Sequence, residues 1–292
     1  MNVFHENFIP SRFWFKSSEP HCEGLNSRVT RIPALELRDV SYLAGGKKII
    51  ETINWTVRPG EHWAILGPNG SGKTTLLRIA SGYLWPNGGG EVFRRGETLT
   101  HLPELRKSIG WVTASLASEI PTQERALNTV VSGKFAQIGY LGGPWGEASR
   151  YDYACARRYL KELGCFQLRE QPFGTLSQGE QQKVLIARAR MTKPYLIILD
   201  EPCAGMDPGA REKFLAALGK TGRRKKIPAL IYVTHHIEEI LPLFRNTLVL
   251  REGKVLYSGP TRSVLKRDVL KKLYGVSLAI MKRKGRFWPV TR

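Results

Sequence analysis

Apolar and polar positions first fall into a regular pattern near Leu35. They roughly alternate over positions 35–40, and Ile53, Trp55 and Val57 share one face, so both segments read as half-buried strands. Positions 62–66 form a largely apolar run that breaks at Gly67, where a glycine-rich turn begins. Positions 73–81 then carry a helical pattern stopped by Gly82, as expected of a C-terminal glycine. Helical patterns are densest over 121–164, including 151–163. Two further apolar, β-branched runs, at 195–199 and 229–233, flank a helical stretch at 208–218. Runs this short and this uniformly apolar predict parallel strands buried on both faces, and hence an α/β fold. Beyond them come a hairpin around Glu252-Gly253, helices over 261–274, and a last hairpin pairing 276–281 with 286–290 around Lys284-Gly285. Residues 1–34 show no sustained periodicity and are read as an extension, in which Glu6, Glu19 and Glu23 argue against a transit peptide.

With 292 residues, 42% hydrophobic and 24% charged, the chain suits one large globular domain with a subdomain. No window approaches the ~18 consecutive apolar residues of a membrane-spanning helix, and the N-terminus lacks a secretory apolar core. Cys22, Cys155, Cys165 and Cys203 form no C-x-x-C pair, so a reducing, cytoplasmic compartment is expected. A formal charge of +20 is the strongest deviation, peaking at Arg223-Arg224-Lys225-Lys226, at Lys271-Lys272, and at Lys282-Arg283-Lys284 with Arg286. Such a field attracts nucleic acid, anionic lipid headgroups or an acidic protein surface. A charge run alone is equally a solvated face and selects none of the three.

The chemistry is carried by three motifs. Gly67-Pro68-Asn69-Gly70-Ser71-Gly72-Lys73-Thr74 matches G-x-x-x-x-G-K-[ST] between an apolar strand and a helix, the context a phosphate-cradling loop requires. Its glycines let backbone N–H groups face the anion, Lys73 reaches the β- and γ-phosphates, and Thr74 can ligate magnesium. Leu196-Ile197-Ile198-Leu199-Asp200-Glu201 delivers two carboxylates to the C-terminal edge of the sheet, where ligands of open α/β sheets bind. Asp200 would hold the metal's water shell and Glu201 would polarise the attacking water. Leu176-Ser177-Gln178-Gly179-Glu180 opens a helix. Alone it is an ordinary N-cap, but about twenty residues before the acidic strand it reads as a second anion site.

Together these motifs resemble the ATP-binding-cassette (ABC) ATPases over about 35–263. The phosphate loop corresponds to Gly67 through Thr75 and the family signature to Leu176 through Glu180. The D-loop corresponds to Ala204-Gly205-Met206-Asp207 and the switch histidine to His235, with His236 a poorer match. The resemblance implies a P-loop NTPase core with a parallel sheet, an antiparallel β subdomain and an inserted helical subdomain. It divides the chain into an extension (1–34), the cassette (35–262, helical subdomain about 115–190) and a C-terminal part of helices and hairpin (263–292). It implies ATP and Mg2+ as ligands. ATP would lie between the phosphate loop of one copy and Ser177, Gln178 and Gly179 of another, in a head-to-tail homodimer or paired cassette, with His235 on the γ-phosphate. The function implied is the ATP-hydrolysing subunit of an ABC transporter, working through separate integral membrane subunits at the cytoplasmic face of a membrane whose anionic surface suits the basic charge. The alternative is a soluble ABC ATPase acting on nucleic acid or ribosomes, whose members carry two cassettes or a long coiled-coil insertion; the chain has neither. A P-loop kinase would leave the signature and the histidine unexplained.

The chain departs from the family pattern in places. Ala44 stands where an adenine-stacking aromatic is common, with Tyr42 nearby. Glu180 replaces the frequent Gln. After Ile109-Gly110-Trp111-Val112 the family's glutamine, which touches magnesium and the membrane partner, gives way to a loop, Thr113-Ala114-Ser115-Leu116. That loop and Gly285-Arg286-Phe287 are similar to cassettes associated with molybdate or iron-complex transport.

Overall fold

In the computed structural model, residues 32–98, 101–222 and 227–291 are described; the basic run 223–226 and nearly all of the N-terminal extension lie outside them. Strands β1 (Leu35–Ala44), β2 (Lys47–Val57) and β4 (Glu91–Arg94) form an antiparallel sheet with order β2-β1-β4. The second sheet contains β3 (His62–Leu66), β5 (Ile109–Thr113), β6 (Leu196–Asp200), β7 (Ala229–Thr234), β8 (Asn246–Arg251) and β9 (Lys254–Pro260). Its order is β5-β6-β7-β3-β8-β9, parallel except for β9.

The short apolar runs are buried on both faces, as their composition predicts, and the two-residue period of a strand sorts them into two cores. Ile197 and Leu199 of β6, and Leu230 and Tyr232 of β7, enter one core; Leu196, Ile198, Ile231 and Val233 enter the other. The second core is closed by the antiparallel sheet and by α1 (Lys73–Ala80) and α2 (Leu102–Ser108). Helices on the opposite face close the first. Three of them, α4 (Ala126–Ser132), α5 (Arg150–Glu162) and α6 (Gln178–Ala189), intervene between β5 and β6, while α7 (Pro208–Gly222) connects β6 to β7. The loop expected at Thr113-Ala114-Ser115-Leu116 is instead the start of a short helix, α3 (Ala114–Glu119). The Thr113 hydroxyl caps it by accepting from the Leu116 N–H at 3.0 Å.

Beyond β9, α8 (Thr261–Val264) and α9 (Arg267–Tyr274) pack Val264, Leu265, Leu270 and Leu273 into the first core. The terminal hairpin pairs β10 (Leu278–Arg283) with β11 (Arg286–Thr291). Both expected two-residue turns are present. Glu252-Gly253 has φ of 50° and 74°, and Lys284-Gly285 has 49° and 77°, the double left-handed geometry of a tight hairpin. The three cysteines among the described residues, Cys155, Cys165 and Cys203, are free and buried. No helix among the described residues is long and apolar enough to cross a membrane.

Candidate nucleotide site

Strand order decides which loops meet. Since β3 pairs with β7 and β7 with β6, the segments leaving their C-terminal ends are neighbours: the glycine loop after Leu66, His235 after Thr234, and Glu201 after Asp200. Gly67 is buried, and Gly70 and Gly72 adopt φ of 77° and 97°. That backbone suits glycine, and Gly72 directly precedes α1, whose first N–H groups open toward the loop. Pro68, Asn69 and Gly70 form the outward lip. The buried Ser71 hydroxyl makes no hydrogen bond, and Thr75 is half-buried one residue into the helix beyond Thr74.

Lys73, only 6% exposed, folds its ammonium into this loop and donates to the carbonyls of Gly67 at 2.9 Å and Pro68 at 3.0 Å. The same nitrogen lies 3.6 Å from Glu201 Oε1, and that oxygen is 3.3 Å from His235 Nδ1. Glu201 therefore sits between the loop lysine and the histidine. Its backbone has φ of 48°, a left-handed conformation costly for a non-glycine residue. His236 is exposed, its ring lying against that of His235 at a centroid distance of 4.1 Å and its Nδ1 3.5 Å from Glu238 rather than on Glu201.

Thr74 Oγ1 lies 3.5 Å from Asp200 Oδ2. Burial, reinforced by the adjacent charge of Glu201, pushes the Asp200 carboxyl above the usual carboxylate range, against the opposing pull of Lys73 and Thr74. One hydroxyl and one carboxylate, with the carboxylate undercompensated, fit a hard divalent cation that completes its shell from phosphate oxygens and water. A raised native-state pKa means that ionised Asp200 costs stability at neutral pH, and the cost disappears as pH falls through that pKa. Asp200→Asn is therefore expected to raise the melting temperature of the nucleotide-free protein at pH 7–8, by a margin that shrinks on acidification. A lower melting temperature across that range would contradict the assignment.

A groove of about 740 Å³ runs from Thr74 and Asp200 past Thr113 and Ser115 to Tyr83 and Trp111. Where a glutamine amide was the family expectation, two hydroxyls face this groove, Thr113 and Ser115, bonded to each other at 2.8 Å. Arg78 lines it too, and its charge acts on Asp200. A basic residue in the last turn of a helix carried no signal of that role in the sequence.

Ser177, Gln178 and Gly179 are not brought to the phosphate loop. Among the described residues no hydrogen bond or ion pair joins them to it. Ser177 is exposed, its N–H and hydroxyl both donating to Glu180 Oε2 at 3.0 and 2.7 Å. Gln178 and Gly179 lie instead against the segment after Glu201: the Gln178 amide crowds Gly205, and Gly179 faces Met206 and Ala210. Asp207 caps α7, accepting from the N–H groups of Gly209 and Ala210 at 2.8 and 3.0 Å.

A parallel sheet whose C-terminal edge gathers a glycine-rich phosphate loop, an acidic strand end and a histidine defines a P-loop nucleoside-triphosphatase. Residues 50–204 match the ABC transporter family model. The uncharacterized ABC transporter ATP-binding protein YlmA of Bacillus subtilis is 37% identical over 85% of this chain and 93% of its own length. Among solved structures, CbiO1 of Clostridium perfringens, part of the ABC transporter complex CbiONQ, is similar with a TM-score of 0.70 and 27% identity, over 82% of this chain and 93% of that one. So is the dimeric post-hydrolysis cassette MJ0796 bound to ADP and Pi, with a TM-score of 0.63 and 26% identity over 78% and 99%. The chain belongs to the ABC transporter family, as an ATP-binding and ATP-hydrolysing subunit.

Proposed function

We propose that two copies of this chain, or one copy and a second cassette, enclose ATP between them and drive transport through separate integral membrane subunits at the cytoplasmic face of a membrane. The carrying observation is how the residues of this reading are distributed within one chain. Lys73, Glu201 and His235 converge within 3.3–3.6 Å steps, while Ser177 and Gln178 are exposed at a helix start that no hydrogen bond or ion pair among the described residues joins to them. Once Ser177 leaves Glu180, that end would supply backbone N–H groups and a positive dipole suited to a γ-phosphate from another copy. The dimeric arrangement of the ADP- and Pi-bound cassette supports the pairing.

Gly67 through Thr75 would wrap the phosphates, with the Lys73 ammonium exchanging its loop carbonyls for phosphate oxygens. Thr74 and Asp200 would hold Mg2+, which neutralises charge on the phosphates when bound. Glu201 would accept a proton from the attacking water, and His235, turned by its contact with Glu201, would donate to the γ-phosphate. Ser177 must leave Glu180 to bind phosphate, so closing the pair would exchange one hydrogen bond for another. Ala44 is exposed at the end of β1, opposite Lys47, and offers no ring to the adenine.

The groove beside Thr113 and Ser115, with Tyr83 48% exposed on its wall, is the surface offered to the membrane subunits. The likeness to CbiO1, itself part of the ABC transporter complex CbiONQ, supports this reading over a soluble ATPase acting on nucleic acid or ribosomes. Purification of the full chain from detergent-solubilised membranes of its native host decides between them. Stoichiometric integral membrane proteins are expected; nuclease-sensitive association with RNA and no membrane protein would overturn the transporter assignment.

A further inference from the structure

His235 leaves the sheet at the end of β7, and the chain immediately enters a 3-10 turn, Ile237–Glu239. Three groups outside the hydrolytic constellation hold this turn. From inside, Glu239, 2% exposed, accepts from Thr234 Oγ1 at 2.7 Å and Tyr232 Oη at 3.0 Å, while Thr234 Oγ1 accepts the His236 N–H at 2.9 Å. From outside, Arg286 of β11 donates to the Glu238 carbonyl at 2.7 Å and forks onto Glu212 of α7 at 2.5 and 3.0 Å. Of those contacts, the His236 N–H bond holds the His235–His236 peptide from its N–H side, and the others fix the flanks. The carbonyl of His235 itself is met by Tyr274, the last residue of α9, whose hydroxyl donates to it at 3.0 Å; among the described residues no other group donates to that oxygen.

We propose that Tyr274 is a positioning residue for hydrolysis: its hydroxyl fixes the peptide of His235 and thereby the direction in which the Glu201–His235 pair presents the imidazole. The inference rests on the reading of His235 as the γ-phosphate contact. Tyr274 belongs to α9, beyond the last strand of the parallel-core sheet, so its contact with His235 makes the C-terminal part of the chain a working part of the site on this reading. The hydroxyl is suited to a permanent donor role, because burial, helped by the charge of Glu238, pushes its pKa up to about 12. Its backbone is equally fixed, since Gly275 ends α9 in the left-handed conformation at φ 75° and Leu270 and Leu273 anchor the helix in the core. A 3.3 Å contact between His235 Nδ1 and Glu201 tolerates little rotation of the peptide that carries the ring. Without the Tyr274 hydroxyl that peptide is held only from its other side, by the His236 N–H on Thr234 Oγ1, and is free to tilt about that single bond.

The test is a double-mutant cycle on the full chain, with kcat and KM for ATP and thermal melting measured on wild type, Tyr274→Phe, His235→Ala and the double variant. Tyr274→Phe keeps the ring and removes only the donor. It is expected to lower kcat about fivefold to tenfold with KM within about twofold. Once the imidazole is absent there is nothing left to position, so Tyr274→Phe should leave kcat unchanged in the His235→Ala background. A purely structural tyrosine would lower the melting temperature and reduce activity by the same factor in both backgrounds, and that result would overturn the proposal. So would an unchanged kcat for Tyr274→Phe alone while His235→Ala is impaired. If His235→Ala itself turns over like wild type, the reading of His235 fails, and the role of Tyr274 with it. Should His235→Ala be too unstable to assay, the ring resonances of His235 by NMR in wild type and Tyr274→Phe separate the same alternatives. A shift is expected, and coincident resonances would contradict positioning.

Discussion

Glu201→Gln is expected to keep ATP affinity within a few-fold of wild type while turnover falls by roughly 10²–10⁴-fold, the range general-base catalysis supplies. The amide occupies the volume of the carboxylate and suits the same φ of 48°, so the loop geometry persists. What disappears is the group able to take a proton from water. Removing a negative charge 3.6 Å from Lys73 also leaves the phosphate cradle no less attractive to an anion. Steady-state ATPase rates set beside equilibrium nucleotide binding check both halves. Hydrolysis at the wild-type rate would take Glu201 out of the mechanism.

Lys73→Ala reverses that pattern, losing binding itself. The ammonium is already desolvated and held at the loop by the carbonyls of Gly67 and Pro68, so exchanging them for phosphate oxygens needs only a local shift of the side chain. Hydrogen bonds to charged groups contribute about 1.5–3 kcal/mol each, which translates to roughly a ten- to hundred-fold loss of ATP affinity for one contact and more for two. The same titration on both variants separates the roles. Equal ATP affinity for Lys73→Ala and Glu201→Gln would contradict them.

The phosphate loop and the acidic strand are legible in the sequence because each is local: a glycine-rich turn between an apolar run and a helix, and a buried strand ending in carboxylates. Both appear where the pattern puts them, at Gly67 through Thr74 and at Leu196–Asp200. The hairpin turns at Glu252-Gly253 and Lys284-Gly285 are legible for the same reason. Harder to see are α2 and β4, whose short polar-rich sequences acquire structure from distant neighbours, β4 by pairing with β1 and α2 by burying Leu105 in the second core. The helix α3 escapes sequence reasoning because Thr113 reads as a strand end and acts as a cap. Contacts across long separations leave no trace at all. Tyr274 reaches His235 over 39 positions, and Arg286 reaches Glu212 over 74, pairings that only the folded chain creates. Family resemblance, not periodicity, singles out His235. The contact with Glu201 that gives this histidine a partner follows from the β6-β7 pairing.

The shared nucleotide site is tested most directly by the molar mass of Glu201→Gln in solution, measured by light scattering coupled to sizing chromatography with ATP and Mg2+. Because Lys73 and Ser177 lie apart within one chain, bound ATP that cannot be hydrolysed should hold two chains together. A mass about twice that of the 32.9 kDa chain is expected with ATP, returning to the single-chain mass when ADP replaces it. A single-chain mass with ATP demonstrably bound would contradict the account.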